Sequence, residues 1–169
     1  MPCKGSVFFV GLDLSLRSTG FCALSESGEV LRLVSFGASL GRGASGEQKV
    51  SRLAVLVKRV LSEIESIEGH GEAAVCVENY AFGARGAQND LGELHGCVKL
   101  QLYLATGKAP LTVSSSTYRK SLIGSGRTTK DDSFLFAKRV LTDRSAVANN
   151  TDEADAFLVA EWFRLFGGK

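Results

Sequence analysis

The sequence predicts an α/β protein built on one mixed five-stranded sheet, with the first three strands antiparallel, the later strands parallel, and helices on both faces. Three observations carry this expectation. Dense Val, Phe, Leu and Ala runs recur at residues 6–15, twice within 18–36, at 72–82 and at 109–115. Segments with apolar residues at helical spacing separate the later runs. Only turn residues separate the first three, which suits a meander, whereas helical crossovers make the later strands parallel to their neighbours.

The elements follow in order. Residues 6–15 hold SVFFVGLDLS, a strand apolar enough to be buried on both faces. STGFCALSESGEVLRLVSF (18–36) reads as two strands joined by a turn at 26–28. ASLGRGASGE (38–47) is a Gly/Ser loop. Residues 48–67 place Leu53, Leu56, Val57, Val60, Leu61 and Ile64 on one helical face. EAAVCVENYAF (72–82) is the fourth strand, and 86–106 is helical despite its glycines. Gly92 and Gly96 lie four apart there, allowing close approach to the sheet or to a partner's helix. APLTVSS (109–115) is a short fifth strand. Residues 128–141 and 151–166 are the last two helices, with Asn150 and Glu153 suited to a capping box on the final one.

A chain of 169 residues suits a single domain spanning 1–169. It buries roughly 70% of its unfolded surface, so it needs no staple to fold. With 44% apolar and 22% charged residues it reads as globular. No apolar run approaches the ~20 residues of a membrane span, so no membrane partner is expected. MPCKGSVFFVG does not resemble a secretory signal, because its apolar stretch runs straight into the acid-bearing strand. The four cysteines show no C-x-x-C pair, which suits reduced thiols and a cytoplasmic location. Two isolated histidines do not make a zinc site. Net charge is only +2, but residues 117–144 hold seven basic and three acidic side chains, a phosphate-facing excess or a solvated helix face.

Four acids conflict with their surroundings. Asp13 sits between Leu12 and Leu14, and Glu78 ends the VCV run. Asp152 and Asp155 share a helix face, and Asp155 lies where that helix becomes apolar. No Lys or Arg lies within the runs that hold Asp13 and Glu78. Buried carboxylates without cations point to metal, and an all-oxygen set suits Mg²⁺, with Mn²⁺ able to substitute. Two such ions roughly 4 Å apart can serve phosphodiester hydrolysis.

GLDLSLRSTG, VCVENYAFG, STYRKSLIGSGRTTK and TDEADAFLVA follow one another here as in RuvC-type Holliday junction resolvases of the ribonuclease H-like superfamily. The chain resembles that family over about residues 6–163. The resemblance implies a crossover junction endodeoxyribonuclease that cuts four-way or branched DNA as a homodimer. It implies two metal ions per site, held by Asp13, Glu78, Asp152 and Asp155, with no nucleotide cofactor. Lys130 would act at the scissile phosphate, while Arg119, Lys120 and Arg127 would hold the DNA backbone. An aromatic that enters the junction would be Tyr80 or Phe82. Leu14-Ser15 departs from the Pro-Gly usual in cellular members and looks more like phage-encoded relatives. The alternative is a related nuclease acting on RNA–DNA hybrids or other branched DNA.

Overall fold

The structure, a computed structural model, describes residues 6–41, 43–67, 69–79 and 88–167, with Gln88 through its backbone. In chain order the elements are β1 (Val7–Asp13), β2 (Thr19–Leu24), β3 (Val30–Phe36), α1 (Gly46–Glu65), β4 (Glu72–Glu78), α2 (Gln88–Thr106), β5 (Leu111–Val113), α3 (Ser115–Ile123), α4 (Lys130–Asp143) and α5 (Thr151–Phe166). The five strands form one sheet in the order β3-β2-β1-β4-β5. β1 and β2 are antiparallel, as are β2 and β3. β4 runs parallel to β1, and β5 parallel to β4. This is the expected mixed sheet.

The period-2 alternation of strand side chains assigns two cores. Val10, Leu12, Phe21, Ala23, Val75 and Val77 pack with Leu53 and Leu56 of α1 and with Leu94, Val98 and Leu102 of α2. On the other face Cys22, Leu24, Cys76 and Val113 pack with Tyr118 of α3, Leu141 of α4 and Phe157 of α5. Cys22 and Cys76 are free and buried, and Cys97 is free and half-buried.

Two glycines decide how closely α5 approaches. A Cβ on Gly11 would collide with the Ala156 carbonyl oxygen and the Ala160 amide nitrogen, and one on Gly20 with the Asp152 carbonyl oxygen. The helix therefore lies directly on the backbones of β1 and β2. The β1–β2 loop is closed by Thr19, whose Oγ1 donates to the Ser15 carbonyl (2.6 Å) and accepts from the Ser15 amide (3.1 Å).

Three local expectations are corrected. The run 109–115 is not all strand: β5 covers only three residues, and Ser114 caps α3, a helix the apolar pattern does not announce. Its side chain accepts from the Thr117 amide, and Gly124, at φ +93°, ends the helix in the left-handed conformation that glycine favours. The next helix begins at Lys130 rather than 128, because Thr129 is its cap and forms a capping box with Asp132. On α5 half of the expected box forms: Asn150 accepts from the Glu153 amide, but the Glu153 carboxylate turns to the amide of Asn149 (2.7 Å) instead of that of Asn150.

Candidate metal centre

Asp13 is the last residue of β1 and Glu78 the last of β4. These strands are parallel neighbours, with Leu12 opposite Val77, so both acids emerge at the same end of the sheet. Asp13 also sits opposite Gly20, where α5 touches the sheet. The glycine contacts thus bring the first turns of α5 against the strand ends. Oxygens of Asp13, Glu78 and Asp155 lie within 4.8 Å of one another. Asp152 does not join that tight group, but its charge reaches Asp13.

The electrostatics of this corner are unfavourable without a cation. Burial, then the charges of Glu78, Asp155 and Asp152, raise the Asp13 carboxyl well above the usual range, against a smaller opposing effect of Lys130. Burial and Asp155 push Glu78 up to about 7, although a hydrogen bond from Tyr118 and the charges of Arg119 and Lys130 pull the other way. The donor set tests the metal expectation directly. All the grouped ligands are carboxylate oxygens that repel one another, and Asp13 and Glu78 are half-buried while Asp155 is buried, which fits a hard divalent cation with open positions.

The basic residues divide into two kinds. Lys120, Arg127 and Lys130 are exposed, and among the described residues none has a carboxylate within ion-pair distance. Lys130 opens α4 close enough for its charge to act on Asp13 and Glu78. Arg119 instead turns inward: its side chain is 12% exposed, and one guanidinium nitrogen lies 3.3 Å from Asp155 Oδ1. Tyr80 and Phe82 lie outside the described residues.

Sequence reasoning missed Tyr118. It is fully buried, and its hydroxyl lies 2.9 Å from Glu78 Oε2 and 3.2 Å from Asp155 Oδ1. The signal for it was the helix caps: Ser114 and Gly124 bracket a short helix whose inward residue is Tyr118. Glu153, one position from Asp152, points away as helical geometry requires and bonds Ser35 and Asn149.

Comparison with known proteins agrees with this fold. No protein-family profile matches the chain. The crossover junction endodeoxyribonuclease RuvC of Solidesulfovibrio magneticus is 32% identical over 161 residues, covering 95% of this chain and 90% of the relative. The enzyme of the same name from Acidiphilium cryptum is 28% identical with the same coverage. Among solved structures, Thermus thermophilus RuvC has the same fold, with a TM-score of 0.74 at 18% identity over 95% of this chain and 96% of that one. The same protein in complex with a Holliday junction substrate gives 0.73 at 16% identity, with equal coverage.

Proposed function

The chain belongs to the RuvC family of crossover junction endodeoxyribonucleases, and on that premise we propose that it resolves four-way DNA junctions by metal-dependent phosphodiester hydrolysis. The observation that carries this reading is the convergence of Asp13, Glu78 and Asp155 from three separate elements onto one point. We take residues 1–169 as one nuclease domain acting in the cytoplasm. Among the described residues no helix is long and apolar enough to cross a membrane.

Asp13, Glu78 and Asp155, with Asp152 beside them, would hold Mg²⁺, with Mn²⁺ as a substitute and two ions at full occupancy. A divalent cation there supplies Lewis-acid activation of water and neutralises phosphodiester charge. Lys130, exposed at the start of α4 and close enough to act electrostatically on Asp13 and Glu78, would offset charge developing on the scissile phosphate. Lys120 and Arg127, exposed and without a carboxylate partner among the described residues, hold the DNA backbone without reading its sequence. Among its described residues one chain carries one such acid cluster, so paired incision calls for a homodimer. Support for assembly comes from the outer face of α1 and α2, where Val50 (65%), Leu100 (55%) and Leu104 (65%) are exposed.

The test is incubation with an end-labelled four-way junction, with Mg²⁺ and with EDTA, alongside linear duplex and an RNA–DNA hybrid. Symmetric, Mg²⁺-dependent cleavage of the junction alone is expected; preferential cutting of the hybrid rejects the proposed substrate. Lys130→Ala should slow cleavage of saturated complex far more than it weakens junction binding. Normal cutting at saturation removes Lys130 from the chemistry.

A further inference from the structure

Tyr118 has no place in the function so far derived. It is anchored on α3, with its ring in the core beneath α5 and its hydroxyl against two proposed metal ligands from different elements, Glu78 of β4 and Asp155 of α5. One O–H serves both acceptors. The contacts are specific as to oxygen. Tyr118 engages Glu78 Oε2 and Asp155 Oδ1, and Arg119 engages that same Asp155 Oδ1. Among the described residues no hydrogen bond engages Glu78 Oε1 or Asp155 Oδ2.

We infer that Tyr118 is a positioning residue that fixes which oxygen of Glu78 and which of Asp155 is presented to the metal. The inference rests on the proposed metal site and extends it to the layer behind the ligands. A carboxylate at a strand end or in a helix turn has free rotation about its last bond. Two carboxylates that repel each other rotate apart unless something ties them. Tyr118 supplies the tie through a rigid ring held in the core, and Arg119, with its guanidinium 5.6 Å from that ring, closes it from the outer side. The occupied oxygens point back to the tyrosine, and the two unengaged ones are left for the ion. Partners behind metal ligands of this kind typically change metal affinity by roughly 10–100-fold.

The experiment is Mn²⁺ binding by calorimetry to the wild-type chain, Tyr118→Phe and Tyr103→Phe, with no DNA present. Tyr118→Phe keeps the ring and removes only the hydroxyl. It should weaken Mn²⁺ about 10-fold or more, and raise by a similar factor the metal concentration for half-maximal junction cleavage, with the rate recovering at high metal. Tyr103 is exposed on α2, and Tyr103→Phe should bind as the wild type does. A Tyr118→Phe affinity within twofold of wild type overturns the inference while leaving the metal site standing. No Mn²⁺ binding by the wild type rejects the site and the inference together. Should Tyr118→Phe not fold, the wild-type chain labelled with 3-fluorotyrosine answers the question by ¹⁹F NMR. The Tyr118 resonance should shift on addition of Mg²⁺, and a resonance that stays fixed overturns the inference.

Discussion

Glycines mark both faces of the sheet's helical cover, and they are used in opposite ways. Gly11 and Gly20 on the α5 side are already filled, because backbone atoms of Ala156, Ala160 and Asp152 occupy the space a side chain would need. Gly96, on α2 of the other side, is open: a Cβ there would meet nothing within 4 Å. On that side the sheet is covered by ordinary interdigitation of Leu53, Leu56, Leu94, Val98 and Leu102, which fills volume without fixing a backbone position. The α5 face seats its helix directly on strand backbone and brings Asp155 to the strand-end acids, although Leu135 and Leu165 stay exposed on that side too. The α1/α2 face buries its inner side and leaves Val50, Leu100 and Leu104 outward. A small residue with nothing against it among the described residues, beside exposed aliphatics, suits a second copy. Among the described residues Gly96 is not spent on the sheet.

The sharpest way to test this contrast is to disable the chemistry of the α5 face without moving it. Asp13→Asn should abolish junction cleavage, as read on gels, and keep junction binding. It should also raise the metal-free melting temperature, since it removes one of the mutually repelling carboxylates, and lose most of the metal-induced rise. Cleavage at the wild-type rate ends the metal assignment.

Next in size is a change that moves the face. Gly11→Val forces a side chain into the α5 backbone, a misfit with nowhere to relax, at or beyond the ~1–3 kcal/mol of ordinary overpacking. Denaturant unfolding should show that loss, and metal should no longer stabilise whatever fold remains. A variant that keeps wild-type stability would show that α5 does not need its close seat.

Gly96→Leu is the matching change on the other side, and its effect should be confined to assembly. Calorimetry should find the folded chain intact, while light scattering finds the dimer lost. A variant that loses its fold, or one that still dimerises normally, breaks the comparison drawn between the two glycine sets.

The smallest effect is a pH dependence. Glu78 is raised from its ordinary 4.5 to about 7. Its folded form therefore holds a proton that the unfolded chain releases, so metal-free stability falls as pH rises between those values and is level above them. Metal requires the ionised carboxylates, so Mg²⁺ should raise the melting temperature more at pH 8 than at pH 5. Equal shifts at both would mean that Glu78 does not bind the ion.

Much of this was legible from residues that contradict their surroundings. Asp13 in an apolar strand and Asp155 in an apolar helix turn conflict with local structure, and a conflict is a signal. The strand directions followed from which connections were turns and which were helices. Tyr118 gave no such signal: between Thr117 and Arg119 a tyrosine is ordinary, and its importance arises only when α3 is laid under α5. The helix itself was hidden because Tyr118 is its one buried residue, leaving caps rather than periodicity to announce it. The second half of the α5 capping box failed for a tertiary reason. Glu153 is drawn instead into bonds with Asn149 and Ser35 of the neighbouring strand.

The seat of α5 on Gly11 and Gly20 works as an index stop. Each residue along a helix advances about 1.5 Å and turns about 100°. A slip of one position would put Phe157 and Glu161, or Asp155 and Val159, where Ala156 and Ala160 now rest on Gly11. None of these fits against bare backbone, so the helix has one permitted setting. The loop that enters it, residues 144–150, can lengthen or shorten over generations without shifting that setting. A residue inserted between Asp152 and Asp155 has no such freedom, because the stop holds the alanines and the error falls entirely on the spacing of the two acids.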